Sequence, residues 1–159
     1  MRCVKGFLKK PHPHGPEYPF IKARILLEEQ EVGIVEFLVD TGGGATVLSR
    51  GDTLKLGLRR LVDKYTCVNI IGIGGIEKVC AIKPKPKIIL EDAENGDIIV
   101  EAIADEPALL VPLEEPRPKD RKYYRQIYAR PSILGWNVLK YTRVIVDYIE
   151  GRVEICFYS

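Results

Sequence analysis

The sequence predicts an all-β, closed barrel-like fold with one or two short helices. Apolar and β-branched residues come in short runs, turn residues separate the runs at regular spacing, and few stretches suit a helix. Residues 20–28 alternate, with Ile21, Ala23, Ile25 and Leu27 on one side, and 32–39 form a second β-branched run beyond the polar turn at 29–31. Together they predict a hairpin that delivers the chain to Asp40. Residues 46–56 read as a loop entering one short helix, with Ser49 and Asp52 as a weak capping box and Gly57 as the C-cap glycine. Stretches 67–71 and 78–82 flank Gly72-Ile73-Gly74-Gly75 and predict a hairpin with a glycine-rich tip. Lys83-Pro84-Lys85-Pro86-Lys87 suits an exposed edge or connector, and 88–91 and 98–104 predict a further hairpin across Asn95-Gly96. Residues 105–130, rich in proline and charge, are expected to be either a mobile excursion or a packed functional loop. Residues 133–140 suit a short helix, and 143–147 and 153–157 predict strands joined through Glu150-Gly151. No internal repeat is visible.

At 159 residues the chain fits one domain, with a core large enough to need no disulfide staples. The expected division is a lead-in at 1–19 that offers a dimer-interface strand, then a single domain at 20–159 with an extended loop at 105–131. With 29% charged and 46% hydrophobic residues the composition is that of a folded protein rather than a disordered one. A net charge of +2, from 24 basic and 22 acidic residues, gives no reason to expect nucleic acid or an anionic membrane as partner. No apolar run approaches the roughly 20 residues that span a bilayer, and residues 1–10 lack the apolar centre of a signal peptide. A cytoplasmic location is the default expectation. Cys3, Cys67, Cys80 and Cys156 form no CxxC pair, so they are expected to be free thiols rather than zinc ligands. His12 and His14, in Pro11-His12-Pro13-His14-Gly15, fit a solvated, extended lead-in better than a metal clip.

The segment with chemical content runs Phe37-Leu38-Val39-Asp40-Thr41-Gly42-Gly43-Gly44-Ala45-Thr46-Val47-Leu48-Ser49. An acid at the end of a buried strand can be held rigidly by the sheet while its oxygens face a cleft. Gly42 lets a backbone N–H approach the carboxylate, and Thr41 can tie the loop to a neighbouring segment. The plainer alternative is a strand-ending aspartate that caps a turn. A phosphate-binding loop would need Gly-Lys-Ser/Thr where this chain has Ala45-Thr46-Val47. A dinucleotide fingerprint would need a third glycine at Val47, and 72–77 fails the same test at Glu77. Both also expect alternating strands and helices, which this chain does not show.

Three separated pieces resemble the retropepsin-like aspartic proteases. Leu38-Val39-Asp40-Thr41-Gly42 with Ala45-Thr46-Val47-Leu48-Ser49 is similar to that family's active-site loop. Ile71-Gly72-Ile73-Gly74-Gly75 is similar to its flap, and Ile133-Leu134-Gly135 with Asn137-Val138-Leu139 to the motif that opens its late helix. The resemblance implies the acid-protease fold and an aspartic endopeptidase with Asp40, Thr41 and Gly42 as catalytic residues. It implies substrate binding by Gly43, Gly44, Ala45, Ile73, Gly74, Gly75 and Ile76, and neither metal nor cofactor. The chain departs from the family at Gly44 and Ala45, where acidic residues are common, and at Trp136, where arginine is common. In the family that acid and that arginine often pair, so their joint loss leaves no charge unpartnered.

Hydrolysis by this chemistry takes two carboxylates about one water apart, sharing one proton because like charges so close cannot both ionise. With one Asp-Thr-Gly and no repeat, the second carboxylate is expected from a two-fold homodimer, and the partner is a peptide or protein substrate. In the family, terminal strands interleave at the dimer base, a role expected here of residues 3–8 and 153–158 unless the last strand closes the chain's own sheet. The alternatives are a binding or dimerisation module that keeps the fold but cleaves poorly, and a structural partner in a larger complex.

Overall fold

The computed structural model describes residues 1–72, 75–113 and 130–158. In chain order these form β1 (Arg2–Lys5), β2 (Phe7–Lys9), β3 (Tyr18–Leu27), β4 (Gln30–Val39), α1 (Arg50–Lys55), β5 (Val62–Gly72) and β6 (Gly75–Ile82). There follow β7 (Pro86–Glu91), β8 (Ile99–Glu101), β9 (Leu110–Pro112), β10 (Ser132–Leu134), α2 (Trp136–Leu139), β11 (Thr142–Asp147) and β12 (Arg152–Phe157). The protein is all-β apart from short helices, as the sequence predicts. None of its described helices is long and apolar enough to cross a membrane.

The strands lie in three sheets, ordered β1-β12-β11, β10-β4-β3-β7-β8 (with β2 also on β3) and β5-β6-β9. None closes into a barrel, which corrects the expectation of closure. Closure requires the end strands of a sheet to find one another. The largest sheet ends instead on β8 and β10, each three residues long; among the described residues β8 pairs only with β7, while β10 pairs with β4 and, through Ile133, bridges only to the lone residue Val47.

The β3–β4 hairpin turns on Glu28 and Glu29, both at positive φ (50° and 65°), the two-residue geometry that matches strand twist. β4 therefore begins at Gln30, earlier than the sequence suggested. Ile21, Ala23, Ile25 and Leu27 are buried, packing with Val35, Phe37, Leu48, Leu134, Val138 and Ile155. The cap of α1 forms as read: Ser49 Oγ accepts from Asp52 N at 3.0 Å, and Gly57 sits at φ +68°.

Other expectations change. The proline–lysine run is a connector only at its start, since Pro86 opens β7, which lies between β3 and β8. Residues 133–140 are not one helix. Ser132–Leu134 pairs in parallel with Phe37, Leu38 and Val39, and only Trp136–Leu139 is helical. The start of the 105–131 loop is packed: Leu109, Leu110 and Val111 are buried and β9 pairs with β6. Residues 114–129 lie outside the described residues.

The first nine residues are part of the domain rather than a lead-in. β2 pairs with β3, and β1 pairs with β12 of the same chain, placing Val4 in the core. The terminal segments expected to interleave between copies thus meet each other within one chain. His12 and His14 sit in a tight turn rather than an extended run, with His14 N donating to His12 Nδ1 at 3.2 Å.

The four cysteines are not free. Strand register sets Cys3 opposite Cys156 and Cys67 opposite Cys80, and both pairs are disulfides. Separations of 153 and 13 residues conceal partners that only the folded register brings together. The expectation of free thiols is thus corrected, and disulfides persist mainly in oxidising compartments rather than in a reducing cytosol.

Candidate active site

β4 runs between β3 and β10, and its last residue, Val39, is buried. Asp40 follows directly, its N–H donating to Leu134 O at 3.1 Å, so the sheet fixes its backbone while its side chain stays half-exposed. Gly42 N donates to Asp40 Oδ1 at 3.0 Å, and Gly43 N donates to Asp40 O at 3.1 Å. A Cβ on Gly43 would stand 3.2 Å from Asp40 Oδ2 and 3.3 Å from Ile133 Cγ2, so a side chain there would crowd the carboxylate. Thr41 and Gly42 are exposed, and the Thr41 hydroxyl has no partner among the described residues. Asp40, Thr41, Gly42, Gly43, Gly44 and Ala45 therefore share one loop, with one carboxylate oxygen of Asp40 engaged by the loop backbone.

That loop is braced from behind by the chain that follows β10. Val47 and Ile133 exchange backbone hydrogen bonds at 2.9 and 2.8 Å, and Trp136 N donates to Gly43 O at 2.6 Å. Thr46 and Asn137, both buried, form the polar centre of the brace. Thr46 Oγ1 donates to Asn137 Oδ1 at 2.8 Å and accepts from Gly135 N at 3.1 Å, while Asn137 Nδ2 donates to Ala108 O at 3.2 Å. Each buried polar group is thereby satisfied, as a low-dielectric interior demands. A Cβ on Gly135 would meet Ala45 O at 2.1 Å, so only glycine permits this approach. The sequence marked 133–139 as a motif without revealing that Thr46 and Asn137 lock it to the Asp40 loop. A hydroxyl and an amide in otherwise apolar runs are the signal that was there to find.

Two positions depart from the resembling family, and the structure describes both. A Cβ on Gly44 would meet nothing within 4 Å, so no steric reason excludes a side chain. Trp136 is half-exposed under Lys140, whose Nζ lies 4.6 Å from the ring centroid. Lys140 also pairs with Asp105, which accepts from the Tyr141 hydroxyl. Hydrogen bonds from Lys140 and Tyr141 hold the Asp105 carboxyl below the usual carboxylate range, and the same pairing raises Lys140.

The expected flap is the β5–β6 hairpin. Ile71 and Ile76 face one another near its tip, both exposed, and Gly72 pairs with Gly75. Ile73 and Gly74 lie outside the described residues. The Cys67–Cys80 disulfide staples the hairpin across its strands. Two links join it to the Asp40 loop. β9 pairs with β6 and bridges to Val47, and Glu77 Oε1 forms an ion pair with Arg50 Nη2 at 2.9 Å without making a hydrogen bond.

Asp92 and Asp147 are held differently from Asp40. Asp92 is buried, Oδ2 accepting from Lys5 N and Oδ1 from Glu94 N and Asn95 N. Burial pushes its pKa up, but those three N–H donors outweigh it and the net shift is downward. Asp147 Oδ1 caps the turn after β11 by accepting from Ile149 N and Glu150 N. Neither a scan of protein-family models nor a search of curated proteins finds a match to this chain.

Proposed function

We propose that the protein is an aspartic endopeptidase of the retropepsin-like kind, cleaving peptide bonds with a water activated between the Asp40 carboxylates of a homodimer. The observation that carries this reading is the seat of Asp40: a carboxylate at the end of a central strand, approached by glycine backbone, half-exposed, and braced by a buried polar lock. One ionised Asp40 takes a proton from the attacking water. The other, protonated, polarises the scissile carbonyl and then helps protonate the leaving amine. The exposed Thr41 hydroxyl would brace the same loop of a second copy. In this reading the fold is the acid-protease fold, each chain supplying half of the enzyme. Ile73, Gly74, Gly75 and Ile76 close over an extended substrate and exclude water, and the chemistry calls for no metal or cofactor.

The second reading, a dimerisation module that cleaves poorly, draws on Gly44 and Trp136, which stand where the family often carries a charged pair. A peptide-library cleavage assay from acid to neutral pH separates the two. Cleavage by the wild type, blocked by statine-type mimics of the tetrahedral intermediate and lost in Asp40→Asn, supports the peptidase. Cleavage that persists in Asp40→Asn refutes it. A wild type that dimerises but cleaves nothing belongs to the second reading.

A further inference from the structure

The sheet β1-β12-β11 has two edges, and they are treated differently. Beyond β1, Lys5 N donates to Asp92 Oδ2 at 2.8 Å and Lys5 O accepts from Ala93 N at 2.8 Å. β1 is further held to β12 by four register pairs and the Cys3–Cys156 disulfide. Interleaving of terminal strands between copies would have to undo both. β11 has β12 on one side and no strand on the other among the described residues.

Unpaired edges invite another strand unless something blunts them. β8 is only three residues long, and β5, though long, is broken by a bulge between Val62 and Cys67 and carries Asp63 and Lys64. β11 runs six regular residues, Thr142-Arg143-Val144-Ile145-Val146-Asp147, with neither proline nor lysine. Its sequence is also complementary to itself. In an antiparallel pair centred on Ile145, Arg143 of each copy faces Asp147 of the partner subunit, and Val144 faces the partner's Val146. The same register carries the exposed Tyr141 toward the partner's Ile149, which is 95% exposed in the single chain.

We propose that two copies join edge to edge through β11, antiparallel about a two-fold axis at Ile145, fusing two three-stranded sheets into one of six strands. This deepens the shared-site reading, on which it rests for the need of a second Asp40. α2 connects the two features, since its residues Trp136 and Asn137 brace the Asp40 loop and its chain continues through Lys140 and Tyr141 into β11. Docking β11 against its copy therefore fixes the element that sets both active-site loops.

The test is charge reversal and restoration, read by sedimentation. Arg143→Asp places like charges opposite one another at both ends of the pair, and the dimer dissociation constant should rise about tenfold. Asp147→Arg should do likewise. The double variant restores opposite charges and should return the constant toward wild type. Asp147 also caps a turn, so circular dichroism melts confirm that each variant folds. Independently, Ile145→Cys should form an intermolecular disulfide across the axis, seen as a doubled mass on a non-reducing gel. Unchanged dissociation in the single variants, or no recovery in the double, overturns the β11 interface, as does a wild type that stays monomeric. A wild-type dimer whose cleavage tracks dimerisation but ignores these charges overturns the interface alone. A dimer that obeys the charge swap yet cleaves nothing sinks the peptidase reading and leaves the interface standing.

Discussion

Asp40 and Asp92 occupy the same kind of local position: each follows the last residue of an interior strand and opens a loop that carries glycine. Tertiary structure then treats them in opposite ways. Asp92 is buried, and three backbone N–H groups occupy its two oxygens, one of them sent by β1 from 87 residues away. Asp40 is half-exposed, receives one N–H on Oδ1 from its own loop, and is braced through its backbone. The first carboxylate is consumed by folding, whereas the second is positioned by folding and left with capacity to spare. A strand-ending aspartate thus becomes structural or chemical according to how many donors the rest of the chain sends to it.

The sharpest way to break this contrast is to neutralise each acid in turn. Asp40→Asn should lower cleavage by about three orders of magnitude. Its melting temperature should stay near wild type, because no buried donor depends on the lost charge. A large loss of stability would show that Asp40, like Asp92, is structural. Gly135→Ala should come next. Its Cβ would collide with Ala45 O, so a cost of about 1–3 kcal/mol in denaturant unfolding and a slower turnover are expected together. Asp92→Asn should also cost about 1–3 kcal/mol, because one acceptor facing a buried N–H is lost, while turnover per folded dimer is unchanged.

The pH dependence sharpens the same point. The Asp92 pKa is depressed in the folded state, so its contribution to stability is complete above the unfolded value of about 3.9 and fades as pH falls through the lower folded value. Denaturation midpoints followed downward from pH 6 should drop in that acid range, and drop less steeply in Asp92→Asn. Thr46→Val should likewise cost about 1–3 kcal/mol, with a modest fall in turnover, because the buried Gly135 N–H and Asn137 Oδ1 lose their partner. It removes the hydroxyl that links Gly135 to Asn137 but leaves the backbone brace in place.

What the sequence discloses about this molecule is its local grammar. The β3–β4 hairpin, the Ser49 cap, the Gly57 terminus and the approach of glycine to Asp40 depend on neighbours within a few positions, and all are legible. The features that escaped depend on distant partners. Ile133 and Leu134 form a strand because β4 lies alongside, about a hundred positions earlier in the chain. Thr46 and Asn137 meet across 91 residues, and Cys3 meets Cys156 across 153. Open sheets replace a closed barrel for the same reason, since whether end strands meet is not written in any one of them.

The most direct test of the shared site is dilution. Specific activity and sedimentation should be followed across one concentration series, from well above the dimer dissociation constant to well below it. If each site takes one Asp40 from each copy, activity should fall in step with the dimer and vanish with it, because a lone chain carries half a site. A fully active species with the mass of one chain would contradict this account.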